Sequence, residues 1–169
     1  MKGTIRKFWP AGLVALACWA SPALAAGIGA PTKATTLSPL AIASTQDLDF
    51  GTILPGAAAG TVTINPNSGN RSVSGGATAA GGTPQRAEFV AVGNPNAQAV
   101  SVLDPGLTLT NGSGGTMTAS LTLGGGGPGT FNFPGTGIRN FRVGGTLAVG
   151  ANQADGVYTG LYNLTVNYF

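Results

Sequence analysis

Asp47 and Asp49 are the closest pair of carboxylates in the chain. Paired carboxylates can run glycoside hydrolysis or hold a hard cation through oxygen. Leu48 and Phe50 alternate with them, as on a strand, so the two acids share one face and the apolar side chains the other. The direct reading of that acidic face is a solvated one, with an oxygen-ligand calcium site as the alternative. Glu88, between Ala87 and Phe89, reads as solvated too. The chain has no His and a single Cys, Cys18. A Ser-His-Asp or Cys-His site is therefore out of reach, and zinc loses its usual ligands. Acid–base catalysis would have to come from five scattered carboxylates, Asp47, Asp49, Glu88, Asp104 and Asp155. No catalytic residue, metal ligand or cofactor is expected, and the chain reads as non-enzymatic.

Other candidate chemistry is equally thin. Gly124-Gly125-Gly126-Gly127-Pro128-Gly129 is glycine-rich but lacks the Lys-Ser/Thr ending of a phosphate loop. It reads as a mobile surface loop. Arg139 and Arg142 are three apart, which puts them on opposite faces of a strand and argues against a shared anion site. Tyr158, Tyr162 and Tyr168 share a strand face. They would suit a sugar-stacking platform, but Leu164 and Val166 share that face, which favours packing.

The elements that position these residues begin after a secretory signal. Lys2, Arg6 and Lys7 form a basic start, Phe8 to Ala20 an apolar stretch, and Ala23-Leu24-Ala25 a small-x-small cleavage site. Cys18 after Ala17 offers a lipoprotein signal as the alternative. The apolar run is shorter than the about 20 residues a membrane span needs, so the membrane enters only through export. Cleavage after Ala25 leaves five bases (Lys33, Arg71, Arg86, Arg139, Arg142) against five acids. The basic character of the whole chain thus belongs to the signal, and nucleic acid is not an expected partner. The remaining chain has no Cys and no Trp, so no disulfide can staple it.

Residues 26–39 contain Pro31 and Pro39 and read as an extended arm. Residues 40–169 read as one domain of about eight short strands at roughly ten-residue spacing. A first strand runs from Leu40 to Phe50, and Thr61–Asn65 alternates next. Ser72–Pro84 holds at most a short edge strand. Arg86–Val92, Ala99–Leu103, Leu107–Thr110 and Met117–Leu123 follow. Gly124–Gly137 reads as a loop. Ile138–Val143 and Thr146–Val149 read as a strand interrupted by a bulge at Gly144-Gly145. No segment has a helical period. The fold class is all-β, an antiparallel β-sandwich with Greek-key connections.

The most regular stretch is the last, from Gly156 to Phe169. Tyr158, Gly160, Tyr162, Leu164, Val166 and Tyr168 form one face, and Val157, Thr159, Leu161, Asn163, Thr165 and Asn167 the other. With the sequence ending where this pattern ends, the strand's far edge is expected to lie open.

Leu48-Asp49-Phe50-Gly51-Thr52-Ile53-Leu54-Pro55-Gly56, Phe141-Arg142-Val143-Gly144-Gly145-Thr146-Leu147-Ala148-Val149 and the Gly156-to-Tyr168 stretch together resemble the exported bacterial domain of unknown function 4402 family. Such domains are similar in expected fold to fimbrial and spore-coat-U-like subunits, which implies an immunoglobulin-like, pilin-like sandwich. The end of the chain also resembles that of chaperone–usher pilins, with Tyr168 penultimate and Gly156 twelve residues before it. On that resemblance Gly156, Tyr158, Tyr162, Leu164, Val166 and Tyr168 form an assembly strand. A periplasmic chaperone, and then a like subunit, would add a strand to its open edge. The resemblance implies a structural protein of the periplasm, cell surface or extracellular space. A stand-alone surface module, adhesin-like and binding carbohydrate through loops such as Gly124–Gly137, is the alternative.

Overall fold

A computed structural model describes residues 32–169. The signal at 1–25, and the arm as far as Pro31, lie outside the described residues. The chain divides into two units, Met1–Thr35 and Thr36–Phe169. Within the first, residues 32–35 are exposed and have no regular structure. All the strands belong to the second unit.

Among the described residues the fold is entirely β and antiparallel. There are twelve strands: β1 (Ala41–Gln46), β2 (Ile53–Leu54), β3 (Gly60–Ile64), β4 (Arg71–Gly75), β5 (Thr78–Ala79), β6 (Ala87–Val92), β7 (Gln98–Leu103), β8 (Gly106–Thr110), β9 (Thr116–Leu123), β10 (Gly129–Asn132), β11 (Ile138–Val149) and β12 (Leu164–Tyr168). A seven-stranded sheet contains β1, β3, β4, β6, β8, β9 and β11. A three-stranded sheet runs β10-β7-β12, and β2 pairs with β5. The sheets pack as a β-sandwich.

β11 is the shared member of the large sheet. Phe141, Val143, Leu147 and Val149 alternate along it and are all buried, as a half-buried strand requires. Val143 pairs with Ala87 of β6 and with Leu123 of β9, so those strands lie on opposite edges. Gly145–Ala148 pair with both β9 and β3. Therefore β6 and β3 occupy the same edge of β11 in succession, and the handover falls at Gly144. A side chain there would strike the Ile64 carbonyl oxygen and the Pro66 nitrogen. The two glycines expected to interrupt the strand instead let it run unbroken, because the register to β6, β9 and β3 shows no slip.

The core forms two clusters along this strand. Phe141 and Val143 pack with Ala87, Ala99, Phe133 and Val166, whereas Leu147 and Val149 pack with Phe50, Val62, Ile64 and Ala119. Phe133 comes from the segment expected to be a loop. That segment carries β10, whose Phe131 stacks edge-on against Phe133 at 5.3 Å and Phe141 at 5.4 Å. Phe133 is 1% exposed. Burying such a ring is worth roughly 1.5–3 kcal/mol, enough to order a stretch rich in Gly and Pro. β4 and β5 likewise replace the single short edge strand expected from Ser72 to Pro84.

Gly144→Ala is expected to destabilise the domain by about 1–3 kcal/mol, since overpacking against fixed backbone carries that cost. Gly135→Ala, where a methyl group meets nothing within 4 Å, is expected to stay within about 0.5 kcal/mol of the parent. Urea unfolding of the two variants measures the difference. Equal midpoints would disprove the handover at Gly144.

Candidate functional groove

The last segment runs antiparallel to β7 and β8. Tyr168 pairs with Ala99 and Leu164 with Leu103, and farther up Thr159 bridges Thr110. Between the last two pairings the chain takes five steps on one side and seven on the other. The extra residues follow Asp104, whose backbone N still donates to the Asn163 carbonyl at 3.0 Å, and Pro105 next to it brings no N–H for a ladder. The Asp104 carboxylate instead accepts hydrogen bonds from the Asn163 backbone N at 2.8 Å and its Nδ2 at 3.0 Å. The strand expected from Gly156 onward is therefore a short strand, β12, with an extended lead.

The alternating faces are as expected from sequence. Val166 is 5% exposed, and Tyr158, Tyr162, Leu164 and Tyr168 are half-buried. On the opposite face Val157 and Leu161 are 82% and 96% exposed. The three tyrosines do not form a platform. Tyr158 donates its hydroxyl to the Ala154 carbonyl and accepts from Gln153 Nε2, both at 2.8 Å. Tyr162 stands edge-on to Phe89 at 6.2 Å. Tyr168 accepts a hydrogen bond from the Asn94 backbone N at 2.7 Å and packs on Phe133. Gly156 has a positive φ of 142°, a value favoured by glycine.

Among the described residues, β12 pairs only with β7, and β1 pairs only with β6. Each therefore has one edge unpaired. A groove lies between the chain at and beyond the end of β1 and the chain that leads into β12. One hollow, of about 650 Å³, separates Leu48–Pro55 from Gln153–Tyr158. A second, of about 430 Å³, lies between Ser44–Leu48 and Tyr158–Tyr162. Leu48, Phe50, Leu109 and Tyr158 line both, so the two hollows are neighbours along one groove. Leu107 and Phe89 help form the second, and Met117 and Leu147 the first. Neither is lined by Lys or Arg.

The cations of the sandwich are engaged elsewhere or face solvent. Arg71 Nη1 donates to the carbonyls of Phe50, Thr52 and Gly81 at 3.1–3.3 Å and so ties down one wall of the groove. Arg86 forms a 2.7 Å ion pair with Glu88. Arg139 lies 4.4 Å over the Phe131 ring, with its Nε buried and unpartnered. Arg142 is exposed. Asp47 and Asp49 are both exposed, alternating with half-buried Leu48 and buried Phe50. Asp49 accepts a hydrogen bond from the Gly51 N, bridges Gln85 and lines the first hollow, and Asp47 lines the second with Tyr162. Among the described residues, no three His, Cys, Asp or Glu side chains form a metal-binding group.

Sequence reasoning placed the last segment but missed Leu107, Leu109 and Phe89 as groove residues. The half-buried Leu107 and Leu109, alternating with exposed Thr108 and Thr110, carry the signal of a strand whose apolar face a neighbour only partly covers.

Burial, and to a lesser degree the nearby Asp47 carboxylate, push the Tyr162 phenol from 10.0 up to about 12. A raised folded-state pKa means that ionisation favours the unfolded chain. This contribution to stability is complete below pH 10 and is lost as pH rises towards 12. In a tyrosinate absorbance titration, one of the three tyrosines is expected to ionise late, and Tyr162→Phe to remove that step. Asp47→Asn should move it slightly lower. A late step that persists in Tyr162→Phe would refute the assignment.

No curated protein and no solved structure matches the chain. The family model for a domain of unknown function, DUF4402, matches residues 40–168, all but the last residue of the sandwich, and the chain belongs to that family.

Proposed function

We propose that this chain is a non-enzymatic structural protein of the bacterial exterior, a pilin-like subunit that assembles by accepting a partner's β-strand. The observation that supports this reading is the apolar groove between the end of β1 and the chain that leads into β12, two strands that each have an unpaired edge. An open edge offers backbone N–H and C=O groups in register, and an added strand satisfies them. Alternate side chains of that strand then enter the groove and cover Leu48, Leu109, Tyr158 and Tyr162. The contribution is about 25 cal/mol for each Å² of apolar surface covered, gained in addition to the backbone bonds. Gly156, Tyr158, Tyr162, Leu164, Val166 and Tyr168 form the assembly strand on this reading. The partners are an export chaperone and then like subunits, and the place of action runs from the periplasm to the cell surface.

Strand addition along a whole groove gives slow dissociation. Envelope fractions are therefore expected to show ladders that survive SDS and collapse on boiling. Leu109→Glu places a charge in the groove at a half-buried position and should abolish the ladders while the monomer keeps its β circular dichroism. Envelopes containing only monomer, or ladders indifferent to Leu109→Glu, would rule the proposal out.

A further inference from the structure

The five acids of the chain divide sharply by what holds them. Asp49 caps the Gly51 N, Glu88 pairs with Arg86, and Asp104 binds Asn163. Among the described residues, the carboxylates of Asp47 and Asp155 have no hydrogen-bond or ion-pair partner; each residue contributes only its backbone carbonyl, to Gln85 and Asn111 respectively. Both line the groove, Asp155 the larger hollow and Asp47 the smaller. No Lys or Arg lines either hollow. Asp49 lines the larger one too, but its carboxylate is engaged by the Gly51 N. The groove is thus apolar within and anionic at its rim, and the two carboxylates without a partner both lie where a partner strand would run.

We propose that the groove selects a cationic strand: an extended segment of a partner protein with alternate apolar side chains and two Lys or Arg residues that meet Asp47 and Asp155. The proposal rests on the strand-addition reading and adds the chemistry of the partner. Geometry sets the spacing of the two cations. Asp47 shares its hollow with Tyr162, and seven residues separate Tyr162 from Asp155 along the chain. An extended segment of that length spans at most about 25 Å, so the two cations lie within about seven residues of each other. Opposite charge at the rim directs encounter and register, while the apolar side chains supply most of the holding energy. Exposed pairs of this kind are each worth only a few-fold in affinity.

The test uses the purified protein and labelled strand peptides with alternate valines. The peptides are identical except that the two rim positions carry Lys, Ser or Glu. Fluorescence anisotropy is expected to rank Lys above Ser above Glu, with about three- to tenfold between the extremes. Added salt should narrow that gap, and the Asp47→Asn/Asp155→Asn double variant should close it. Both positions are exposed, so the variant is expected to melt with the parent. Equal binding of all three peptides would overturn charge selection and leave strand addition standing. Tighter binding of a peptide copy of residues 32–39 than of the Lys peptide would assign the groove to a second copy and overturn the cationic partner. Binding of none would overturn both readings.

Discussion

Everything in this sandwich depends on β11 pairing along both of its edges. A central strand of twelve residues has more backbone donors and acceptors than one neighbour of five or six residues can satisfy. The chain meets that demand by placing β6 and β3 end to end on one edge and β9 on the other. Two short strands in succession give the sheet its curl, because each follows the twist of its own half of β11. The same arrangement divides the core into two clusters, one under each half. Gly144 is the point where the halves meet. It needs to be glycine because the end of β3 turns away at Pro66, against the backbone of β11.

The groove follows from this division. β1 lies outside β6 and stops at Gln46, where the register to Glu88 slips by a residue. The chain from Asp47 to Leu54 then crosses to the second cluster, contributing Phe50 to it, and is held there by Arg71 and the Gln85 bridge rather than by a long ladder. On the opposite wall the last segment also changes course, at Asp104 and Asn163. Both walls are thus weakly paired along the same part of the molecule. The half-buried Leu48, Leu109 and Tyr158 between them are what two walls without a strand in the middle leave partly uncovered. An unpaired edge beside apolar side chains is costly for an isolated protein and useful for one that assembles.

Much of the fold was legible where side chains alternate strictly. The β-sandwich, most of its strands and the two faces of the last segment follow from period-two patterns in Thr61–Ile64, Met117–Leu123 and Tyr158–Tyr168. What escaped sequence reasoning depends on tertiary contact. Gly124–Gly137 looks like a loop because glycine and proline outnumber everything else in it. Phe131 and Phe133 nevertheless order it, through partners distant in sequence: Phe131 pairs with Ala99 of β7, and Phe133 packs on Tyr168. Gly144-Gly145 looks like a break, and only the approach of Pro66 reveals why small residues belong in an unbroken strand. The groove was half legible. Its C-terminal wall is an amphipathic pattern, and Leu107 and Leu109 alternate with Thr108 and Thr110, but that Phe89 joins them beside the same hollow depends on tertiary contact.

The distribution of polar groups separates the groove from the rest of the surface. On the outer face of the large sheet, Thr61, Thr63, Ser72, Ser74, Thr118, Ser120 and Thr146 occupy paired positions on β3, β4, β9 and β11. Thr63 and Thr146 bond hydroxyl to hydroxyl across strands at 3.0 Å. Such rows of hydroxyls hydrate the face and stabilise the ladder through cross-strand pairs, and they place no formal charge on it. The sheet is therefore held in part by side chains that bond to one another. The groove differs: half-covered apolar side chains line it, together with two carboxylates that have no partner. On the strand-addition reading, these half-covered side chains and free carboxylates concentrate the capacity for association in that groove.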